Sequence, residues 1–246
     1  ALGELGAHVV VTARDANMAN VYSNNLKIES DINAKGVQLE VTNEENWYEV
    51  VHNIVDEFGK IDILVNNAGG RSPKKINEII DDDISKYFLE DRSLNEWKCL
   101  VDTNLTSVFL GCKAVAPFMK KQKSGKIINI ASIDGMVGRD LSIYKGTGLT
   151  PTVPDYLASK AGVINLTRGI AVVLAAYNIN VNCISPGGFF RNQNREFVEN
   201  YIRLTPLGRM GQDGVDIKGA IAFLASSASD FVVGHNLVID GGWTAW

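Results

Sequence analysis

The stretch IDILVNNAGG, residues 61–70, places an apolar run directly before two asparagines and two glycines. The run at 61–65 is short and continuous, which is typical of a strand covered on both faces of a parallel sheet. Asparagine side chains at its end can tie loop backbones together, and Gly69 allows a ligand to approach the backbone closely. The stretch therefore predicts a buried strand that ends at a ligand-binding edge.

Other apolar runs have the same character and alternate with longer amphipathic stretches. The strand candidates are 7–12, 37–41, 61–65, 126–131, 179–184 and 236–239, and helical patterns cover 17–34, 44–58, 95–120, 156–176 and 213–226. Strand–helix alternation with short links predicts βαβ units. We therefore expect an α/β fold with a doubly wound, mostly parallel, Rossmann-like sheet, formed by residues 1–246 as a single domain.

Two further strands of this set also end in small or polar residues. Ser132 closes the run in IINIASIDG, and Pro186 and Gly187 close the run in VNCISPGG. The connections 70–93, 133–155 and 187–211 are too long to be simple turns, and long loops in a compact domain usually carry function. Open α/β sheets bind ligands at the carboxyl ends of their strands, so we expect the site there.

Composition and charge restrict the classes of function. The chain has 246 residues, 46% hydrophobic and 21% charged, which suits a globular domain with a sizeable core. Its net charge of −4 provides no electrostatic footprint for nucleic acid. The sequence has no run of eighteen apolar residues, so we expect no membrane span and a soluble, cytoplasmic protein.

Cysteine and histidine positions indicate neither a metal site nor disulfides. Cys99, Cys112 and Cys183 lack the spacing of either, and we expect all three to be small core residues in a reducing compartment. The three histidines are scattered singly along the chain, which leaves metal catalysis without support.

The segment PTVPDYLASKAGVINLTRGIA, residues 151–171, places Tyr156 and Lys160 four residues apart at the start of a predicted helix. Residues at this spacing lie on one helix face. A free phenol has a pKa of about 10, and a neighbouring ammonium lowers it towards the range of a useful base. The pair could therefore exchange a proton with a ligand, although packing on a solvated helix face gives the same spacing. We expect Asp155 to cap this helix.

Together these motifs resemble the short-chain dehydrogenase/reductase family. The matching pieces are NNAG at 66–69, Asn104 in VDTNLTSVF, Ser132, Tyr156-x-x-x-Lys160, Pro186-Gly187 and the closing LVIDGGW. They run from about residue 60 to the carboxyl terminus in the family's order and spacing. The resemblance implies an NAD(P)-dependent oxidoreductase that interconverts a secondary alcohol and a ketone by hydride transfer.

The resemblance also implies a role for each matching residue. Tyr156 would be the general acid and base, and Lys160 would lower its pKa and hold the nicotinamide ribose. Ser132 would donate a hydrogen bond to the substrate oxygen, and Asn104 would anchor a proton-relaying water. Simpler alternatives remain open, since Ser132 could be a strand-end cap and Asn104 a packing residue. The residues expected to contact the cofactor here are Asn67, Ala68, Gly69, Tyr156, Lys160, Pro186 and Gly187.

The choice between NAD and NADP depends on the residues after the first predicted strand. NAD-preferring relatives place an acid there, whereas this chain has Ala13 followed by Arg14, whose guanidinium could clamp a 2′-phosphate. We expect NADP(H) to be favoured and NAD(H) to remain possible, because Asp15 could serve the ribose instead. By resemblance, Glu40 and Val41 would line the adenine pocket.

One part of the family pattern does not occur in the sequence. The resemblance implies a central first strand and a glycine-rich TGxxxGxG turn ahead of the first helix, and residue 1 already lies within that helix. Without that strand, backbone groups inside the sheet would be unpaired, each at a cost of about 1–3 kcal/mol. The helix N-terminus that binds pyrophosphate would also be lost. We therefore expect the native product to be longer than this chain.

Three segments should wall the substrate pocket, namely 133–155, 188–205 and the tail after Gly242. Their polar and aromatic residues favour a sugar, a polyol or a hydroxy acid as substrate: Asp134, Arg139, Tyr144, Thr147, Arg191, Asn192, Gln193, Trp243 and Trp246. Family members usually form tetramers through the helices near 95–120 and 156–176 and the C-terminal strand, so we expect a homo-oligomer, a tetramer or a dimer. The alternative is a catalytically silent member of the fold, kept for binding or scaffolding.

Overall fold

Strands and helices alternate along the chain in the computed structural model, which describes residues 1–70 and 89–246. The strands are β1 (Val9–Ala13), β2 (Ala34–Gln38), β3 (Ile63–Asn66), β4 (Gly125–Ile130), β5 (Ile179–Pro186), β6 (Phe189–Phe190), β7 (Gly211–Gln212) and β8 (Asn236–Ile239). The helices are α1 (Ala16–Ser30), α2 (Glu44–Phe58), α3 (Leu94–Val101), α4 (Ser107–Gln122), α5 (Pro154–Ala175), α6 (Arg195–Arg203) and α7 (Lys218–Ala225). Most of the predicted connection 70–93 lies outside the described residues.

A four-stranded parallel sheet in the order β3-β4-β5-β8 forms the centre of the fold. Strands β1 and β2 form a separate parallel pair, and β6 pairs with β7 in a short ladder. The parallel strands with flanking helices confirm the predicted α/β, Rossmann-like class. Within the described residues no ladder joins β1 to β3, and the resemblance places the expected additional strand between these two. The expectation of a longer native product stays a prediction.

Helices cover both faces of the central sheet. Successive side chains of a strand point to opposite faces, and the neighbours Ile127 and Ile128 on β4 are both fully buried. Ile127 belongs to the cluster formed with α2, α4 and α5, whereas Ile128 packs with Ile184 and with Leu224 of α7. Burial on both faces is the reason that these strands read as continuous apolar runs.

Two helical stretches, Leu94–Gln122 and Pro154–Ala175, are long and apolar enough by composition to cross a membrane. Buried residues of both, such as Met119 and Val163, belong to the core cluster beside the sheet. A helix that is apolar on most sides is found either in the core of a protein or in a membrane. Packing against the sheet accounts for the buried part of their apolar character.

The predicted strand at 37–41 has the wrong bounds, because β2 runs from Ala34 to Gln38. Lys35 and Gly36 interrupt the apolar run that would indicate a strand. Each of the two residues makes a contact with a neighbouring helix instead. Lys35 forms an ion pair with Glu57 of α2. A Cβ at Gly36 would lie 2.6 Å from the Ala19 carbonyl carbon of α1, so a close helix–strand contact requires glycine.

Helix α6 lies inside 187–211, which the sequence predicts as a loop. Its buried residues are Phe197 and Tyr201, four residues apart, and the rest of the helix is mostly polar. Asn194 caps it, since its side-chain oxygen accepts a hydrogen bond from the Phe197 amide at 2.8 Å. Val198 and Ile202 pack against the same cluster, so four apolar residues form one helical stripe, a helix signal that the sequence prediction overlooked.

The expectation that all three cysteines are core residues is wrong for Cys99. Cys112 and Cys183 are buried, but Cys99 is exposed on α3. Helix α3 buries only Leu100 on its inner face, so Cys99 points away from the core although its helical placement is as predicted. No group of three or more His, Cys, Asp or Glu side chains suited to a metal lies within 1–70 and 89–246.

Candidate active site

A cleft of about 480 Å³ opens at the carboxyl ends of β3, β4 and β5, where the sheet topology predicts a ligand site. It brings together most of the residues that the motifs single out. Among the described residues, the predicted ones that line it are Asn67, Gly69, Ser132, Tyr156, Lys160, Pro186 and Gly187. Residues separated by more than a hundred positions in sequence therefore share one surface.

Helix α5 carries Tyr156 and Lys160 into the cleft in its first two turns. Pro154 occupies the start of the helix, where its fixed φ angle suits the first turn. The Lys160 Nζ atom lies 5.9 Å from the centroid of the Tyr156 ring and donates a hydrogen bond to the Ile130 carbonyl at 2.7 Å. Burial lowers the pKa of Lys160 to about 8. A cation that titrates close to physiological pH thus lies beside the phenol.

Asp155 does not cap α5, contrary to the sequence prediction. The N-cap residue is Val153, which makes no side-chain capping bond, and the Asp155 carboxylate instead forms an ion pair with Arg92. Both side chains are nearly inaccessible to solvent, and Arg92 is also 3.7 Å from Glu96 of α3. The pair ties the start of α3 to the turn that carries Tyr156.

Asn104 lies in a π-helical turn, Asp102–Thr106, between α3 and α4. It is fully buried, its Oδ1 atom accepts a hydrogen bond from the Gly70 amide at 2.8 Å, and its Nδ2 atom donates to the Gly70 carbonyl at 2.9 Å. The same Nδ2 atom is 3.2 Å from Ser159 Oγ on α5. Single π turns are frequent at functional sites. Asn104 therefore fastens the end of the NNAGG loop to the helix of Tyr156, and its role in proton relay stays a prediction.

Ser132 follows β4 and lies in the wall of the cleft. Its Oγ atom accepts a hydrogen bond from the Asp134 amide at 3.1 Å. A hydroxyl has one donor and two lone pairs, so this contact leaves the Ser132 proton available for a ligand. The capping role and the substrate-binding role of Ser132 are therefore compatible.

The residues expected at the adenosine end do not line this cleft. Arg14 follows β1, where its carbonyl accepts a hydrogen bond from Gln38 Nε2 at 2.9 Å and its side chain is exposed. Glu40 follows β2 and accepts from the Thr42 hydroxyl at 2.9 Å, and the Val41 carbonyl accepts from an indole nitrogen. Ala68 is exposed in the loop after β3. Arg14, Glu40 and Val41 lie at the carboxyl ends of the β1–β2 pair, and their contact with a cofactor stays a prediction.

The polar residues expected around the substrate divide into three groups. Asp134, Arg139, Arg191 and Gln193 line the cleft. Tyr144, Thr147 and Trp243 are buried, and Asn192 and Trp246 are exposed and do not belong to the lining among the described residues. Helix α6 and the segment after it also contribute lining residues that sequence reasoning missed, namely Phe197, Tyr201, Met210, Asp213 and Ile217. The helical spacing of the apolar residues in α6 was the available signal for Phe197 and Tyr201, and no comparable signal marks the other three.

A chain of buried amides, also missed from sequence, supports the site from behind. Asn66 Nδ2 donates to Asn129 Oδ1 at 2.9 Å, and Asn129 Nδ2 donates to Thr167 Oγ1 at 2.9 Å. The chain links β3, β4 and α5, which carry the NNAG loop, Ser132 and Tyr156. Fully paired buried polar networks rigidify their surroundings.

The cleft fits the nicotinamide end of a dinucleotide. Pro186, Gly187 and Gly188 line it with little side-chain bulk, and a Cβ at Gly187 would lie 2.9 Å from the Asp240 Cα atom. Gly69 is also part of the lining, and a Cβ there would lie 3.5 Å from Lys160 Nζ. A flat ring and a ribose need this combination of backbone access and a hydrogen-bond donor.

A parallel α/β sheet with a tyrosine, a lysine and a serine in the cleft at its carboxyl edge defines the class of Rossmann-like oxidoreductases. The chain belongs to the short-chain dehydrogenase/reductase family: a family model described as enoyl-(acyl carrier protein) reductase matches residues 1–244. The 5-keto-D-gluconate 5-reductase of Escherichia coli K12 is 36% identical over 247 residues, which cover 98% of this chain and 87% of that protein.

Two other similar proteins differ in what their names say of their substrates. The 3-oxoacyl-[acyl-carrier-protein] reductase of Synechocystis is 35% identical over 250 residues, covering 98% of this chain and 89% of that protein. The structure of a gluconate 5-dehydrogenase from Burkholderia cenocepacia in complex with NADP and tartrate matches with a TM-score of 0.83 and 31% identity. That match covers 100% of this chain and 88% of the other.

Proposed function

We propose that this protein is an NADP-preferring oxidoreductase that interconverts a secondary alcohol and a ketone on a polar, hydroxylated substrate. The observation that carries the proposal is the placement of Tyr156, Lys160 and Ser132 in one cleft at the carboxyl edge of the sheet. A nicotinamide bound there would supply or accept the hydride.

The residues of the chain would handle the proton and the developing charge. During reduction, Tyr156 would donate its phenolic proton to the carbonyl oxygen, and in the reverse direction it would take that proton back. The Lys160 ammonium favours the phenolate by its charge. The Ser132 hydroxyl would donate a hydrogen bond to the same substrate oxygen, where negative charge develops. Asn104 would hold the NNAGG loop in place against α5.

The cofactor preference rests on Arg14 at the carboxyl end of β1. Its side chain is exposed and forms no ion pair among the described residues, so it is available to a 2′-phosphate. The B. cenocepacia structure in complex with NADP supports the same choice. We expect tighter binding of NADPH than of NADH, and equilibrium titration with each cofactor tests this.

A polar substrate is favoured over an acyl chain by the described lining of the cleft. Asp134, Arg139, Arg191, Gln193 and Asp213 contribute charge or amide groups to it. Such groups match hydroxyl and carboxylate oxygens, whereas an acyl chain would remove water from these charged and amide groups without offering them a hydrogen bond. The 5-keto-D-gluconate reductase among the relatives agrees with this choice, and the 3-oxoacyl reductase represents the competing substrate class.

A substrate panel tests the proposal directly. Ketoses, keto sugar acids and polyols should be turned over with NADP(H), and steroids or acyl β-keto thioesters should not. Oxidation or reduction of the cofactor is followed by its absorbance. Activity confined to steroids or acyl thioesters would overturn the polar substrate class while leaving the reaction type intact.

The second candidate is a silent family member that binds a nucleotide or a partner without turnover. A generic diketone with NADPH separates the two candidates. Absence of turnover together with absence of binding of either dinucleotide would favour the silent member.

Assembly and location form the remaining part of the proposal. The helices expected at the subunit contacts carry exposed apolar side chains, which include Phe109 on α4 and Val172 and Val173 on α5. A homo-oligomer would cover them. We keep a single domain spanning 1–246 and a cytoplasmic location as proposals.

A further inference from the structure

A buried ion pair lies at the substrate end of the cleft, immediately after Ser132. The Asp134 carboxylate pairs with the Arg139 guanidinium, and only 3% and 10% of these two side chains are exposed. Both residues line the cleft, and the Asp134 amide donates the hydrogen bond to Ser132 Oγ. The pair is therefore adjacent to the hydroxyl that would hold the reacting oxygen.

The position of Arg139 is defined from a second side by an aromatic stack. The guanidinium carbon lies 5.9 Å from the centroid of the Trp243 ring, and the Trp243 ring stacks on Tyr201 at 6.1 Å. The Tyr201 hydroxyl in turn accepts a hydrogen bond from the Gly188 amide at 2.5 Å. The Asp134 carboxylate on one side and the face of the Trp243 ring on another hold the planar guanidinium of Arg139 in one orientation.

Arg139 has more donors than its protein partners use. A guanidinium carries five N–H donors and no acceptor. Among the described residues its one hydrogen bond is that of Nη2 to Asp134, so the other Nη donors of this cleft-lining side chain are not used by the protein. The Nε atom is inaccessible, so a ligand acceptor in the cleft would be bound by the Nη donors that Asp134 leaves free.

The charges of the inner wall also favour an anion. Arg139 and Lys160 are cations there, and Asp134 is the one carboxylate opposite them among the described lining residues of β4, its following turn and α5. Lys160 donates to a neutral carbonyl, that of Ile130. At the outer rim, Arg191 is already paired with Asp213 at 2.8 and 3.0 Å and is largely exposed. Arg191 also keeps unused donors, but water competes for them at the exposed rim, so Arg139 is the buried guanidinium that a ligand would meet in the inner wall.

We infer that Arg139 binds a carboxylate of the substrate, which makes the substrate an anionic hydroxylated ketone or alcohol instead of a neutral sugar or polyol. The inference rests on the proposed function and names the substrate class of the same cleft. A carboxylate only accepts hydrogen bonds, so it complements a donor-rich wall, whereas each hydroxyl would bring a donor of its own. Asp134 is then a positioning residue that orients the Arg139 guanidinium.

Two four-carbon probes that differ in charge test the inference. Tartrate has two carboxylates, and threitol has the same carbon chain with hydroxymethyl groups in their place. Each is tested as an inhibitor of the reduction of a neutral diketone by NADPH, and each is tested for its effect on the melting temperature. We expect tartrate to inhibit the wild type at a concentration at least about tenfold lower than threitol, as a charged hydrogen-bonded pair provides.

The variants separate Arg139 from general attraction of anions. The double change Asp134→Asn with Arg139→Gln removes both charges and leaves no unpaired buried ion. The double variant should bring the ratio of the two inhibition constants to about one. Arg139→Lys keeps the positive charge but lacks the planar guanidinium with its paired donors, so it should give an intermediate ratio. Arg195→Gln is the matched control, because Arg195 is exposed on α6 and paired with Glu199. It should keep the wild-type ratio.

The outcomes are distinguishable from failure of the proposed function. Equal inhibition of the wild type by tartrate and threitol, or an unchanged ratio in the folded double variant, would show that Asp134 and Arg139 form a structural pair only. If the wild type reduces no ketone with either cofactor, the proposed function fails. The melting-temperature shifts with tartrate and threitol would still decide whether Arg139 binds a carboxylate.

Discussion

At the scale of single residues, the chemistry of this cleft depends on a phenol whose proton must move and on a buried amine beside it. Tyr156→Phe removes only the hydroxyl, so the ring and its packing remain. We expect kcat to fall by a factor of about 10²–10⁴, the usual contribution of general acid–base catalysis, while the dissociation constant of NADPH changes little. Stopped-flow turnover and cofactor titration on the same preparation measure both. Undiminished turnover by a folded, cofactor-saturated variant would contradict the role of Tyr156.

Lys160 should support activity and at the same time lower the stability of the fold. Its pKa is about 8 in the folded protein, below the 10.5 of a free side chain, because burial disfavours the charged form. The folded state therefore binds fewer protons than the unfolded state between these two values, and stability of the wild type should rise as pH increases through that window. At pH 7 the folded protein bears the free-energy cost of burying the Lys160 ammonium. The free energy of unfolding of Lys160→Met should therefore be about 1–2 kcal/mol higher than that of the wild type, and the variant should lose activity.

Urea denaturation at pH 7 and near pH 10 checks this prediction. The advantage of Lys160→Met over the wild type should shrink at the higher pH, because the wild-type amine is then neutral when folded. Lys121→Met is the control, since Lys121 is exposed at the end of α4. A constant difference between Lys160→Met and the wild type at both pH values would mean that the amine is not penalised by burial.

At the scale of secondary-structure elements, the contact between α3 and α5 depends on the buried pair Arg92–Asp155. Arg92→Met would leave the Asp155 carboxylate buried without its cation, at a cost of about 3–5 kcal/mol in the free energy of unfolding. The double variant with Asp155→Asn leaves no uncompensated charge and should recover a large part of that loss. Arg195→Met breaks the exposed pair with Glu199 and should cost less than about 1 kcal/mol.

Urea denaturation of the two single variants and the double variant forms a complete cycle. If the costs of Arg92→Met and Asp155→Asn simply add in the double variant, the two side chains do not interact and the link between α3 and α5 lies elsewhere. The measurement concerns stability alone, so it can be made before any substrate is known.

At the scale of the whole molecule, the proposed assembly makes a prediction about exposed apolar residues. Val172 and Val173 of α5 are 78% and 63% exposed, although they lie on a helix whose other faces are in the core. Replacing both by aspartate would place charges in the proposed subunit contact and should convert the oligomer to a species with the mass of a single chain. Sedimentation velocity measures the mass. Ile28→Asp on α1, 83% exposed, is the matched control and should leave the assembly unchanged.

The sequence alone determined those features that have a local or motif signature. Burial on both sheet faces forces continuous apolar runs, so β3, β4, β5 and β8 were predictable within a few residues. The residues at the ends of those strands and the Tyr156–Lys160 spacing predicted a cleft that contains them, and the structure brings these residues together. Local signals of this kind do not depend on which distant segment packs against them.

Only the tertiary structure decided the features that depend on contacts between distant segments. The strand at β2 contains Lys35 and Gly36 because of contacts with α2 and α1, and the partner of Asp155 is Arg92, 63 positions away. Arg139 looked like any polar loop residue until the fold placed Asp134 and Trp243 around it. Burial and unpaired donors are properties of a three-dimensional neighbourhood, and a one-dimensional pattern does not contain them.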